Sequence, residues 1–214
     1  MNKPVVVIFD LGNVLVHIHP ECFLQSLGID SPENRRYFQP FVIEAVQRYE
    51  RGEETTGQYL ERISQLVNIQ AREHQPSLSL PKHLFTREQL VQAMKSIIGD
   101  PIQEMEQLVH SVAKNYQTAL LSNTNPLHYD HCLEHLPVLH QIPQHILSYK
   151  FHCLKPGSLI FEKAAQYLHA DPSEILFIDD AAENVRGAAE IGYRFIQFQG
   201  KDALESKLRI LEIL

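Results

Sequence analysis

One short segment constrains the fold of this chain more than any other. The run from Val5 to Phe9 is unbroken, apolar and mostly β-branched, and Asp10 ends it. Such a run is typical of a strand that is buried on both faces of a parallel sheet. Residues from about 20 to 98 contain no comparable run, and we expect them to be helical. A buried strand followed by a long helical block predicts an inserted subdomain.

Beyond residue 98, short apolar runs alternate with amphipathic segments. We expect strands at 117–121, 145–149, 175–178 and 195–198, and helices at 100–115, 157–169, 181–191 and 201–213. This alternation predicts a doubly wound parallel sheet. The predicted fold class is therefore α/β, with a Rossmann-like core formed by residues 1–16 and 99–214. Residues 17–98 form the predicted helical cap subdomain.

Capping signals divide the helical block. Ser31-Pro32 predicts a helix start, because a capping serine followed by proline at the first helical position is a preferred combination. Residues 86–89 match a capping box, and Gly99 predicts the end of that helix. The helix after Ser31 carries an apolar stripe that we expect in the core of the block: Phe38, Phe41, Val42, Ala45, Val46 and Tyr49.

Composition excludes several classes of partner. The net charge is −7 and no run of Lys or Arg occurs, whereas nucleic-acid binding needs a basic surface. Three cysteines without a CxxC pair indicate reduced thiols. The apolar run at residues 5–9 is too short for a signal peptide or a membrane span. We therefore expect a cytoplasmic protein with no nucleic-acid or membrane partner.

Polar residues with catalytic potential follow four of the predicted strands: Asp10, Ser122, Lys155 and the pair Asp179-Asp180. Ligands bind at the carboxyl ends of strands in such sheets. Converging carboxylates repel one another and therefore bind a divalent cation, and oxygen ligands select Mg²⁺ over Zn²⁺. Ser122 and nearby main-chain N–H groups can hold an anion, and Lys155 adds positive charge. These are the parts of phosphoryl transfer through a covalent intermediate.

The same residues lie in four ordered motifs: Phe9 to Leu15, Leu121 to Asn125, Lys155-Pro156, and Phe177 to Asp180 with Glu183-Asn184. In this order they resemble the haloacid dehalogenase-like (HAD) superfamily, and the resemblance covers nearly the whole chain. It is closest to the branch of bacterial α-glucose-1-phosphate phosphatases and the phosphatase domain of soluble epoxide hydrolases. Residues 50–53 and His128 are also similar to that bacterial branch.

The resemblance implies a role for each motif residue. Asp10 would be the nucleophile and a metal ligand, and Lys155 would orient it and offset charge in the transition state. The resemblance also implies Mg²⁺ as cofactor and a small phosphorylated metabolite, such as a sugar phosphate, as substrate. We expect the protein to be a monomer or a weak homodimer. As further metal ligands, the resemblance implies the Gly12 carbonyl, Asp180, and Asp179 either directly or through water. As residues that bind the phosphoryl group, it implies Ser122, Asn123 and Asn13.

Gly12 departs from the family pattern. Phosphatases of the superfamily usually carry Asp at this position, as the acid that protonates the leaving group. Such acid catalysis contributes about 10²–10⁴-fold. An anomeric or acyl phosphate has a better leaving group and depends less on the acid. A cap residue or His17 could instead supply the proton.

Four points remain open at the level of sequence. The loss of the acid at Gly12 is compatible with a weak or inactive phosphate-binding or regulatory module. A haloacid dehalogenase shares the aspartate nucleophile but needs no metal, and the pair Asp179-Asp180 disfavours it. His128, His131 and His135 share one helical face, which fits either a metal site or an ordinary polar surface. His17 and His19 are candidate substrate contacts or linker residues.

Overall fold

The computed structural model of the protein describes residues 4–70 and 80–214. Its strands are β1 (Val6–Phe9), β2 (Val16–Ile18), β3 (Ile98–Pro101), β4 (Gln117–Ser122), β5 (Gln144–Leu147), β6 (Ile175–Asp179) and β7 (Arg194–Gln197). Five of them form a parallel sheet in the order β5-β4-β1-β6-β7. The first strand of the chain is therefore central, which explains why all four of its residues are buried.

The helices lie in the cap and on both faces of the sheet. Those of the cap are α1 (Cys22–Ser26), α2 (Pro32–Glu50), α3 (Thr56–Gln65) and α4 (Arg87–Lys95), with a π-helical turn at Leu66–Gln70. Those of the core are α5 (Met105–Ala113), α6 (Pro126–His135), α7 (Ser148–Phe151), α8 (Ser158–Leu168), α9 (Ala182–Glu190) and α10 (Lys201–Ile210). Helices α5, α6 and α10 pack on one face of the sheet, while α8 and α9 pack on the other. The doubly wound α/β fold is confirmed.

The cap has an apolar core of its own. Phe38, Tyr49 and Tyr59 are fully buried in it, and the rings of Tyr49 and Tyr59 stack with centroids 4.5 Å apart. The stripe predicted on α2 is only partly buried, because Phe41 is 47% exposed and Val42 and Val46 are half-buried. The segment 71–79 of the predicted helical block lies outside the described residues.

A short antiparallel ribbon joins the cap to the core, and the sequence did not predict it. Strand β2 pairs with β3, and the main chain of Leu15 accepts a hydrogen bond from the Ile102 N–H at 2.9 Å. The helix predicted to begin at residue 100 therefore begins at Met105. The expectation was wrong because residues 98–101 satisfy their main chain by pairing with β2 rather than by starting a helix.

Two capping signals are confirmed. The Ser31 hydroxyl accepts a hydrogen bond from the Asn34 N–H, and Thr86 forms a complete capping box with Gln89. The strand predicted at 145–149 is wrong at its end, because β5 stops at Leu147 and Ser148 begins α7. Among the residues that the structure describes, no helix is both long enough and apolar enough for a membrane crossing.

Candidate active site

Asp10 and Lys155 form the centre of the site at the carboxyl edge of the sheet. Asp10 directly follows β1, and its Oδ1 accepts hydrogen bonds from Lys155 Nζ at 2.8 Å and from the Leu11 N–H at 2.7 Å. The same Nζ lies 2.6 Å from Asp179 Oδ2. The Lys155 side chain is only 1% exposed, so one buried ammonium group bridges two carboxylates from neighbouring strands.

Asp179 is the most firmly held member of the site. Its Oδ1 accepts hydrogen bonds from the Ala181 N–H at 2.8 Å and from Asn184 Nδ2 at 3.0 Å. Its Oδ2 forms the ion pair with Lys155 Nζ, and the whole residue is fully buried. Asp179 therefore fixes Lys155 and the start of α9, and sequence reasoning had not identified the part that Asn184 plays in this arrangement.

Three carboxylates converge beside the bridging lysine. Oxygen atoms of Asp10, Asp179 and Asp180 lie within 4.8 Å of one another. Asp180 is half-buried, and its Oδ2 accepts a hydrogen bond from Asn13 Nδ2 at 3.2 Å. A single ammonium group does not balance three carboxylates, and an all-oxygen donor set of this charge fits a hard divalent cation such as Mg²⁺. The arrangement is therefore a candidate metal site.

Burial shifts the proton affinities of these groups. Loss of water raises the pKa of Asp10 to about 7; the Lys155 ammonium opposes this shift and the Asp179 carboxylate reinforces it. The pKa of Lys155 is raised, because its two carboxylate partners outweigh the effect of burial. Burial also raises the pKa of Asp180, against the hydrogen bond from Asn13. A bound cation would favour the ionised form of both aspartates.

The residues predicted to bind the phosphoryl group differ in whether their side chains already bond other parts of the protein. Ser122 ends β4, is buried and lines the cavity described below. Both polar atoms of the Asn123 side chain bond the main chain of Lys155, with Oδ1 accepting from its N–H and Nδ2 donating to its carbonyl, each at 2.9 Å. Asn123 thus positions Lys155, and phosphate binding by this residue would have to use its main-chain N–H.

Asn13 is committed in a similar way. It adopts a left-handed backbone conformation (φ 53°), its Nδ2 donates to Asp180, and its Oδ1 accepts a hydrogen bond from the Ile18 N–H at 3.1 Å. The side chain thereby ties the candidate metal site to the ribbon strand β2. Its direct contribution to phosphate binding stays a prediction.

The loop after β4 is held by contacts that the sequence motifs did not reveal. The Thr124 N–H donates to Ser148 Oγ, and the Ser148 hydroxyl donates to the Thr124 carbonyl, each at 3.0 Å. Asn125 caps α6 through the His128 N–H at 3.0 Å, and Pro126 follows at the first helical position. The Asn-Pro pair was a usable signal for this cap, whereas the contact with Ser148 depends on the tertiary fold.

A cavity of about 250 Å³ lies between the cap and this site. The core contributes Leu11, Gly12, Ser122, Asn123, Thr124 and His128 to its lining. The cap and the ribbon contribute Ile18, Pro20, Ile43, Val46, Gln47, Glu50, Ile97 and Ile98. Of the described residues, Gln47 and Glu50 are the polar groups that α2 brings to the cavity.

The histidines separate into different environments. His128 is buried, with Nδ1 accepting from Asn125 Nδ2 and Nε2 donating to the Met94 carbonyl, each at 3.0 Å, and burial lowers its pKa to about 4. It therefore does not join His131 and His135, whose ligand atoms gather instead with Glu134 on the surface of α6. His17 and His19 are exposed, and the described residues that line the cavity include neither of them.

Comparisons with known proteins agree with the fold described above. A family model described as haloacid dehalogenase-like hydrolase matches residues 5–192. The D-ribitol-5-phosphate phosphatase of Bacteroides thetaiotaomicron is 26% identical over 202 residues, which are 89% of this chain and 90% of that protein. A HAD family enzyme from the same organism, solved in complex with magnesium and inorganic phosphate, has a TM-score of 0.76 at 21% identity and covers 93% of this chain and 96% of its own.

A more distant structure belongs to a different kind of enzyme. The L-2-haloacid dehalogenase from Xanthobacter autotrophicus, with chloropropionic acid covalently bound, has a TM-score of 0.62 at 16% identity. It covers 99% of this chain and 85% of its own. At such identities the similarity to either solved structure establishes the fold, and the chemistry has to be argued from the residues of the site.

Proposed function

The chain belongs to the haloacid dehalogenase-like hydrolase family, and we propose that it is a Mg²⁺-dependent phosphatase that forms an aspartyl-phosphate on Asp10. One observation carries the proposal: the Lys155 ammonium group bridges Asp10 and Asp179, and the Asp180 carboxylate lies beside them. A nucleophilic carboxylate, a fixed cation and an acidic cluster suited to a metal are the parts that phosphoryl transfer requires.

The covalent steps follow from how Asp10 is held. Lys155 and the Leu11 N–H both hold Oδ1, so we assign the attack on phosphorus to Oδ2. In the first step the bond from phosphorus to the leaving oxygen breaks and the phosphoryl group passes to Asp10. In the second step water attacks the phosphorus, the bond to Asp10 breaks, and inorganic phosphate leaves. Lys155 offsets negative charge in both steps.

The metal site that we propose uses oxygen atoms near Asp10. Asp10 and Asp180 would be ligands together with the Gly12 carbonyl, and Asp179 would act through water because Lys155 and the start of α9 already occupy its oxygens. When bound, Mg²⁺ supplies Lewis-acid stabilisation of the phosphoryl oxygens. The uncompensated negative charge of the three carboxylates supports this assignment.

The phosphoryl group is assigned to the loop that follows β4. The Ser122 hydroxyl and the main-chain N–H of Asn123 are proposed to bind it, with Asn13 nearby. The buried position of Ser122 at the cavity supports this role, and the commitment of the Asn123 side chain to Lys155 favours its main chain over its amide.

The proposed substrate is a small phosphorylated metabolite. A cavity of about 250 Å³ suits a small molecule, and the cap of residues 17–98 would exclude water around it. A sugar or sugar-alcohol phosphate is the first class to test, since the curated relative named above acts on D-ribitol 5-phosphate. The net charge of −7 supports a small-molecule partner rather than a nucleic acid.

Two other functions make different demands on the same site. A haloacid dehalogenase attacks carbon and needs no metal, which leaves the acidic cluster around Asp180 without a purpose. A binding or regulatory module is favoured by Gly12, which carries no acidic side chain at the position two residues after Asp10. The proposed phosphatase therefore has to obtain its acid elsewhere.

Phosphate release from a panel of phosphorylated metabolites tests the proposal. The native chain and Asp10→Asn are compared with Mg²⁺ and with a chelator, and fluoride release from a fluorinated haloacid is measured in parallel. We expect Mg²⁺-dependent phosphate release that Asp10→Asn abolishes. A folded protein that binds Mg²⁺ but releases no phosphate would favour the binding module, and metal-free release of fluoride would favour the dehalogenase.

A further inference from the structure

Glu50 differs from the other acidic residues at the end of α2. The residue is half-buried and lines the cavity, and within residues 4–70 and 80–214 its carboxyl group has no hydrogen bond or ion pair. By contrast, Glu53 pairs with Arg51 at 2.6 Å, and Glu54 pairs with Arg48 at 2.9 Å. These two neighbouring carboxylates of the cap are thus paired with arginines, whereas Glu50, within the described residues, lines the cavity without such a partner.

The main chain around Glu50 is held rigidly against the core. Gly52 has φ +67°, and a Cβ atom there would lie 2.2 Å from the Tyr149 carbonyl, so only glycine permits this approach. His152 Nδ1 donates to the Arg51 carbonyl at 3.1 Å, and the Tyr49 hydroxyl bonds Thr56 at 2.7 Å. These contacts hold the main chain on both sides of Glu50, and acid–base catalysis requires a positioned side chain.

Several titratable groups interact electrostatically with the Glu50 carboxyl: Asp10 and Lys155 from the core, Arg51 on the cap and Tyr59 from α3. His128 from α6 lines the same cavity. Burial raises the pKa of Glu50 to about 7; the Lys155 ammonium opposes this shift, and the Asp10 carboxylate reinforces it. A carboxyl group with a pKa near neutrality can both donate and accept a proton under physiological conditions. The raised pKa of Glu50 is therefore consistent with an acid–base role at the cavity.

We propose that Glu50 is the acid–base residue of the reaction and replaces the carboxyl group that is missing at Gly12. The inference rests on the proposed phosphatase function. While Asp10 attacks the phosphorus, the protonated Glu50 gives its proton to the leaving oxygen, so that the alcohol departs neutral and Glu50 becomes a carboxylate. In the second step Glu50 removes a proton from the attacking water, which regenerates its acid form as phosphate leaves Asp10.

The leaving group provides the test, because a good leaving group needs no proton. Glu50→Gln is compared with the native chain on p-nitrophenyl phosphate and on the primary alkyl phosphate that the native chain hydrolyses fastest. The kinetic parameter is kcat/KM, which reports on the first chemical step. Glu44→Gln, an exposed position on the same helix, makes the same change of charge away from the cavity and serves as the control.

We expect Glu50→Gln to lower kcat/KM for the alkyl phosphate by about 10²–10⁴-fold and to leave p-nitrophenyl phosphate within about threefold of the native value. The fall of the alkyl phosphate rate at alkaline pH should disappear in this variant. Its slow second step should let an Asp10-phosphate accumulate on p-nitrophenyl phosphate. Glu44→Gln should match the native chain in each respect.

Equal losses on both substrates would overturn the proposal, because they would indicate a structural role for Glu50. Unchanged kcat/KM on both substrates would overturn it as well. If the native chain hydrolyses neither phosphate ester, the proposed function fails and this inference fails with it. If the native chain hydrolyses both and Glu50→Gln does not discriminate between them, the inference alone fails.

Discussion

At the scale of single residues, Lys155 determines the charge balance of the site. Its ammonium group is buried between Asp10 and Asp179, which are 7% and 0% exposed. Buried carboxylates without a partner are strongly unfavourable, so the lysine has a structural role as well as its proposed catalytic one. Asn123 adds to this by bonding both main-chain polar groups of Lys155.

The first prediction concerns the removal of this ammonium group. Lys155→Met should reduce the free energy of unfolding by about 3–5 kcal/mol at neutral pH, because it leaves two buried carboxylates uncompensated. Urea denaturation in the presence of a chelator measures the effect, and the exposed Lys114→Met is the control. A midpoint equal to that of the native chain would contradict the assigned role.

The second prediction concerns His128, whose pKa in the folded state is about 4 against an ordinary value of 6.5. As pH falls, the unfolded chain takes up this proton first, so stability is present above pH 6.5 and is lost between pH 6.5 and 4. The loss amounts to about 3 kcal/mol. His128→Gln should remove this part of the pH dependence, as urea denaturation at pH 7 and pH 4 would measure. A constant stability difference between native and variant at the two pH values would contradict it.

At the scale of elements, the sequence predicted those features that depend on neighbouring residues. The buried strand β1, the serine cap at Ser31 and the capping box at Thr86 were all recognisable, because burial pattern and capping are local. The ribbon of β2 and β3 was not recognisable. Its strands are short and distant in sequence, and residues 98–101 include Gly and Pro, which strands generally avoid.

In the candidate site, too, local motifs were predictable from the sequence and tertiary contacts were not. The identities of Asp10, Ser122, Lys155 and Asp179-Asp180 followed from the ordered motifs. What these side chains bond did not follow, since the commitment of Asn123 to Lys155 requires the distance between two loops. The position of the Glu50 carboxyl depends on how the cap docks on the core. This docking cannot be predicted from the pattern of residues in the sequence.

The third prediction tests that docking through two glycines with the same backbone conformation. Gly52 and Gly28 both have φ +67°, but a Cβ atom meets the Tyr149 carbonyl only at Gly52 and meets nothing within 4 Å at Gly28. Both alanine variants should lose about 1 kcal/mol of stability from the left-handed backbone. Gly52→Ala should lose more, together with at least about tenfold in kcat, because the end of α2 must move. Equal stability and activity in the two variants would show that the close approach is unimportant.

At the scale of the whole molecule, the site joins two units that have separate apolar cores. Asp10, Lys155 and Asp180 belong to the sheet, whereas Glu50 and part of the cavity wall belong to the cap. A ligand that binds the folded state but not the unfolded chain stabilises the folded state. The candidate metal site makes this expectation measurable.

The fourth prediction follows from that linkage. Mg²⁺ at about 100 times its Kd should stabilise the native chain by about 2.7 kcal/mol and raise its Tm accordingly. Asp180→Asn should weaken this response, because it removes a negatively charged ligand from the cluster of three carboxylates. The Tm is measured over a range of Mg²⁺ concentrations, with K⁺ at equal ionic strength as control. A native Tm that does not depend on Mg²⁺ would contradict the metal assignment.

Detection of the covalent intermediate is a direct test of the aspartyl-phosphate mechanism. The native chain is mixed with Mg²⁺ and the phosphate ester that it hydrolyses fastest, quenched in acid within the first turnover, and digested for mass spectrometry. We expect a phosphoryl group on the peptide that contains Asp10, formed only with Mg²⁺ and labile to hydroxylamine. Hydrolysis without any phosphorylated Asp10, or with the phosphoryl group on another residue, would contradict it.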